Sequence, residues 1–248
     1  MANDILTELD GPILRITLNR PEDGNGMSDE MAVQFAAAIN RAHESADFVL
    51  LRANGKDFCT GRARSQKPAG AAAPPEAYQR RNENDVIFNC YLAIRNTPLP
   101  VVGVIQGRAM GFGAAIAALC DVSFASDAAT FNVPELEHNI MATMVMSSLF
   151  DRVPRNVIAY LTYSTDFVSA ERALTYGIVS QVVPAAKLDE TVAEFCRKML
   201  STPRPALLGV KEYLRAAPNM DAQGGIDYAR SLHALVNTSS EMKKKSRK

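Results

Sequence analysis

"GRAMGFGAAIAALCD", residues Gly107 to Asp121, comes directly after the apolar run "PVVGVIQG" and turns a strand pattern into a helical one. Gly111 and Gly113 open the helical part, so backbone N–H groups at its start face whatever binds there. The following residues, Ala114 and Ala115, have no side chain that can ionise. The stretch thus offers hydrogen-bond donors without an acid or a base, and any group that moves protons must come from elsewhere in the chain.

Upstream, "FVLLRA" has the same buried-strand character as "PVVGVIQG", and each is followed by a loop and a helical segment. This βα alternation predicts an α/β fold with parallel strands and crossover helices, in which ligands collect at the carboxyl ends of the strands. "ILTEL" and "ILRITL" read as a hairpin around Asp10-Gly11-Pro12. Ser28 is placed to cap a helix with Asp29 and Glu30 in its first turn and an apolar face of Met31, Phe35, Ala38 and Ala42. Ser65 to Glu76, "SQKPAGAAAPPE", lacks periodicity and reads as a loop, either a lid or a tolerated surface insertion. From Ser169 the pattern turns helical, broken by the short strand "IVSQVV". The expected organisation is a core over residues 1–168 and a helical C-terminal subdomain over 169–248, joined as one continuous structural unit. The terminal "KKKSRK" reads as a solvated tail.

Composition narrows the function classes. The 248 residues are 47% hydrophobic, enough for one large core, and Lys plus Arg equals Asp plus Glu at 27 each. That balance removes the basic field of a general nucleic-acid binder, so no nucleic-acid partner is expected. The four cysteines are widely spaced, with no CxxC pair or His cluster, so neither a metal site nor a disulfide framework is indicated. The N-terminus lacks a signal-peptide pattern and no apolar run reaches membrane-spanning length, so a cytoplasmic protein with no membrane partner is expected. A dinucleotide-binding reading of the glycine stretch fails at its third small position, which is Ile116.

Five segments in order carry a resemblance to the crotonase (enoyl-CoA hydratase/isomerase) superfamily, from about Ile13 to about Ala216. "LNRPEDGNGMS" resembles its Leu-Asn-Arg-Pro segment, "GKDFCTGRA" and "GRAMGFGAAIAALCD" its two oxyanion loops, "FNVPE" its Phe-Gly-Gln-Pro-Glu, and "SAERALTYGIVSQVVP" its later Ala- and Gly-containing signature. The resemblance implies a crotonase-like fold of repeated ββα units, an acyl-CoA substrate, no cofactor beyond the coenzyme A that the substrate carries, and assembly as a homotrimer or homohexamer. It also implies an oxyanion hole made by the backbone N–H groups of Arg62 and Phe112. Donors so placed stabilise the negative charge that develops on a thioester oxygen. Lys56, Gly61, Arg64, Gly111, Gly113, Ala115, Met141 and Met144 are the further substrate-binding candidates, with Lys56, Arg62 or Arg64 near the phosphates.

Hydratases of this family generally use two glutamates, and here the first falls on Ala115. The second matches Glu135, which becomes the single catalytic carboxylate. Glu137 and His138, just beyond it, are candidates for a substitute second acid. Two departures from the pattern stand out: Ala63 occupies the place of the family's acidic anchor, and Asn139 stands where a glycine is usual. Asn is the residue that best takes over a left-handed position. Cys59 and Cys120 are assigned to packing, and Asp121 to structure. With one carboxylate, double-bond isomerisation of an enoyl-CoA is expected ahead of hydration; a crotonase-like binding module without catalysis is the third reading.

Overall fold

The computed structural model describes residues 4–63 and 76–243. The N-terminal hairpin forms as β1 (Ile5–Asp10) and β2 (Ile13–Leu18), and the Ser28 hydroxyl accepts the Met31 N–H at the start of α1 (Asp29–Arg41). β3 (Phe48–Ala53) follows, then α2 (Asp85–Asn96), β4 (Val101–Ile105), β5 (Arg108–Met110), α3 (Phe112–Leu119), β6 (Val122–Ser126) and β7 (Thr130–Asn132). Next come α4 (Thr143–Leu149), α5 (Arg155–Ser164), β8 (Val168–Ser169), α6 (Ala170–Tyr176) and β9 (Gln181–Val183), and the helices α7 (Leu188–Leu200), α8 (Arg204–Ala216) and α9 (Ala222–Asn237) close the chain.

The main sheet has the order β1-β2-β3-β4-β6-β9, parallel from β2 onward with β1 antiparallel at the edge; β5, β7 and β8 form a smaller sheet. Alternating side chains explain the layers. Val49 and Leu51 of β3 pack with Met31, Phe35 and Ile39 of α1, while Phe48 and Leu50 point the other way, toward Val192, Cys196 and Met199 of α7. With both faces of β3 covered, its sequence has no polar position until Arg52.

The expected boundary at 168/169 falls inside β8, and β9 extends the main sheet, so the C-terminal part shares the core. Buried Lys211 on α8 reinforces the join: its Nζ donates to Asp121 Oδ1 at 2.9 Å, Asp121 Oδ2 at 2.8 Å and the Ile94 carbonyl at 3.1 Å. Asp121 Oδ2 also accepts the Val101 N–H, which accounts for the structural role expected of Asp121. Among the described residues, no helix is long and apolar enough to cross a membrane. Arg64, nearly all of the Ser65–Glu76 loop and the tail beyond Lys243 lie outside the described residues.

Candidate active site

Two loops leave the carboxyl ends of β3 and β4 and run side by side. The Cys59 N–H donates to the Arg108 carbonyl at 3.1 Å and the Met110 N–H to the Cys59 carbonyl at 2.9 Å, which zips the first loop to the second. Asp57 locks their bases together: its carboxylate accepts the Arg108 backbone N–H and both Nε (3.0 Å) and an Nη (2.7 Å) of the Arg108 guanidinium. The Arg108 hydrogen bond holds the Asp57 carboxyl below its ordinary value, against the opposing effect of burial. Beneath the first loop, fully buried Asn25 donates to the Asn54 and Asp57 carbonyls and accepts the Arg20 N–H, leaving no side-chain polar atom unpaired.

The two predicted oxyanion donors stand on these two adjoining loops. Met27 pairs with the strand edge on either side of Arg62, through the Gly61 carbonyl and the Ala63 N–H, which turns the Arg62 N–H away from the pairing. Among the described residues neither the Arg62 nor the Phe112 N–H has an acceptor. Phe112 is the first residue of α3, where unpaired N–H groups and the helix dipole both favour negative charge. The approach of the loops depends on Gly113, where a Cβ would lie 2.1 Å from the Cys59 carbonyl oxygen.

Glu135 begins a 3-10 turn, Glu135–His138, that is closed by Asn139 in the left-handed conformation, at φ 56°. The expectation that Asn139 serves as a glycine substitute is met. The turn brings the Glu135 carboxylate over Gly111: a Cβ there would lie 2.7 Å from Oε1. Oε2 is buried without a hydrogen-bond partner among the described residues. Burial pushes the Glu135 carboxyl up from its ordinary value, with only its own backbone opposing. A carboxylate so placed is suited to accept and return a proton.

Other candidates fall into place less neatly. The Arg62 guanidinium is bound to Asp29 (3.0 Å) and Asn84 (2.5 Å), which corrects the expectation that it reaches toward phosphates: it ties the first loop to α1 and to the start of α2. Lys56 is exposed. Ala115, on α3, has no accessible surface and packs in the hydrophobic core, and so is corrected from a substrate contact to a core residue. Met141 is 61% exposed, whereas Met144 packs half-buried on the core. Glu137 and His138 are exposed, unlike half-buried Glu135. Cys59 and Cys120 are fully enclosed and their thiols are pushed up to about 12 by burial, consistent with packing.

The sequence reading missed Tyr91, Asp57 and Arg108. Tyr91 falls on the apolar face of α2 with Ile87 and Ile94, and that spacing signals only core. Its ring stacks on Phe112 with centroids 5.6 Å apart and planes at 22°.

With this geometry established, comparison with known proteins identifies the lineage. The family model of enoyl-CoA hydratase/isomerase matches residues 8–248. The chain belongs to the enoyl-CoA hydratase/isomerase family. It is 29% identical over 217 residues to human enoyl-CoA hydratase domain-containing protein 3, mitochondrial, covering 85% of this chain and 69% of that protein. It is 26% identical over 243 residues to (E)-benzylidenesuccinyl-CoA hydratase of Thauera aromatica, covering 96% and 93%. The crystal structure of an enoyl-CoA hydratase from Mycobacterium smegmatis superposes with a TM-score of 0.87 at 26% identity, covering 96% of this chain and 92% of that one. The crotonase-like α/β fold of this family member is thereby shown.

Proposed function

We propose that this family member acts on acyl-CoA thioesters through an enolate, with Glu135 as the acid/base and the Arg62 and Phe112 N–H groups as the oxyanion hole. One observation carries the reading: a desolvated carboxylate lies over Gly111, and the adjoining loops carry two amides that have no acceptor among the described residues. In double-bond isomerisation, Glu135 takes the α-proton of a β,γ-unsaturated thioester, the electron pair moves into an enolate whose oxygen the two amides receive, and the same carboxyl returns the proton at the γ-carbon. The reaction is balanced and needs no cofactor beyond the coenzyme A of the substrate. Hydration is the second reading, favoured by the extended similarity to a hydratase. It requires a further group to hold the water or the alkoxide.

The test is a panel of saturated and unsaturated acyl-CoA thioesters followed by mass spectrometry and by α-proton exchange in deuterated water. Exchange and double-bond migration that vanish in Glu135→Gln would support the reading. Exchange that persists in the variant would remove Glu135 from the mechanism, and hydration without migration would reverse the order of the two reactions.

A further inference from the structure

The proposed oxyanion donors belong to residues on separate loops, so their joint action depends on how far apart those residues are held. Each donor comes directly after a glycine in the positive-φ region: Gly61 at φ 111° before Arg62 and Gly111 at φ 49° before Phe112. A glycine restrains the following amide less than any other residue would. What the side chains of Arg62 and Phe112 touch therefore matters for where their N–H groups stand.

Both side chains are held by α2, which packs on α1 and on α3. At its start, Asn84 Oδ1 accepts an Nη of the Arg62 guanidinium at 2.5 Å, and Asp29 in the first turn of α1 takes the other Nη at 3.0 Å. Asn84 occupies the N-cap of α2, a position that favours Asn because its side chain can accept a helix N–H. It makes no capping bond there; its carboxamide is given to Arg62 instead. Seven residues on, two turns along the same face of the helix, the Tyr91 ring stacks on that of Phe112, with both residues 3% exposed. A partly exposed ion pair such as Arg62–Asp29 adds little to stability, so stability alone does not account for a cap given up to the same guanidinium.

We infer that α2 is a brace that sets the spacing of the two oxyanion amides, with Asn84 and Tyr91 as its positioning residues: Asn84 holds Arg62 by the guanidinium and Tyr91 holds Phe112 by the ring. The inference rests on the acyl-CoA reading and deepens it. Donors that are fixed before reaction need no reorganisation when charge develops on the thioester oxygen, and a small misplacement forfeits much of that advantage. The brace thus acts on the enolate-like state and leaves the binding of an unreacted thioester nearly unchanged.

The test measures α-proton exchange of saturating butyryl-CoA in deuterated water, together with its Kd by calorimetry, in the full chain. Asn84→Ala and Tyr91→Leu should each slow exchange by about tenfold, with Kd within about twofold of wild type. Asn84→Asp, which keeps an acceptor for Arg62, and Tyr91→Phe, which keeps the ring, should exchange at the wild-type rate. Acetoacetyl-CoA, which ionises to an enolate more readily than butyryl-CoA, should bind Asn84→Ala about tenfold more weakly than wild type. In an Arg62→Met background, Asn84→Ala should change nothing further. Because the Asn84 side chain caps nothing, Asn84→Ala should melt within about 3 °C of wild type, and a rate that falls only in step with the folded fraction would overturn the inference. Undiminished exchange in either Asn84→Ala or Tyr91→Leu, or equal losses of rate and butyryl-CoA affinity, would overturn it while leaving the acyl-CoA reading intact. A wild type that exchanges no thioester α-proton would overturn that reading and the inference with it.

Discussion

Glu135 illustrates how a residue's chemistry comes from its environment. Half-buried on a short turn, with Oε2 unpartnered among the described residues, its carboxylate is harder to ionise than in water. Two consequences follow, with opposite signs for activity and stability. As the proposed base it must be ionised, so the acidic limb of kcat/KM should lie above the ordinary glutamate range, as a pH-rate profile would reveal. A carboxyl whose value is raised on folding costs stability as pH rises from its unfolded value through its folded one. Glu135→Gln should therefore lower kcat by about 10²- to 10⁴-fold and raise the melting temperature at neutral pH. That gain should fade in acid, where wild-type Glu135 is already protonated. A variant that melts lower at neutral pH would contradict the desolvation argument.

At the scale of elements, the site is a junction of two loops whose spacing is set by backbone contact. Gly113→Ala would drive a methyl into the Cys59 carbonyl, so α3 would have to retreat and carry the Phe112 N–H with it. If the proposed oxyanion donor is displaced, the expected loss in kcat is about 10²- to 10³-fold, with weaker binding of acetoacetyl-CoA in the same variant. Undiminished turnover would show that the loops need not meet so closely. Asp57→Asn, which weakens the lock on Arg108, should lower stability by about 1–3 kcal/mol in urea unfolding. The difference between wild type and variant should shrink as pH falls, because the wild-type carboxylate loses its charge below its depressed value. A pH-independent difference would contradict that assignment. The motif spacing made both loops legible, but not this lock. Asp57 and Arg108 lie 51 positions apart, and neither stands in a local pattern that points to the other.

At the scale of the molecule, the Lys211–Asp121 pair fastens the helical end to the sheet. Removing the lysine alone strands a nearly enclosed carboxylate, so Lys211→Met should cost about 3–5 kcal/mol. Adding Asp121→Asn should recover part of the loss in chemical denaturation; an exposed-pair magnitude below about 1 kcal/mol would contradict the burial. The same end of the chain leaves Val210 and Leu214 of α8 and Ile226 and Leu235 of α9 exposed. We propose, with the family resemblance, that these helices take part in a trimer or hexamer. Light scattering that reports a monomer at micromolar concentration would refute this.

The sequence by itself determined the N-terminal hairpin, the βα alternation of β3 and β4, the Ser28 cap, the left-handed Asn139, the two glycine-bearing loops with Arg62 and Phe112 as candidate oxyanion amides, and Glu135 as the candidate base. Each is written in local chemistry: apolar periodicity, capping hydroxyls, glycines at tight approaches and an ordered set of motifs. Only the tertiary structure decided what the other side chains do. It spent the Arg62 guanidinium on Asp29 and Asn84, enclosed Ala115, exposed Met141, paired Lys211 with Asp121, and stacked the ring of Tyr91 on Phe112, with a hydroxyl that bonds to none of the described residues. In the sequence Tyr91 is one more large residue on the buried face of a helix, because helical spacing records which face is covered and not which polar atom remains without a partner there.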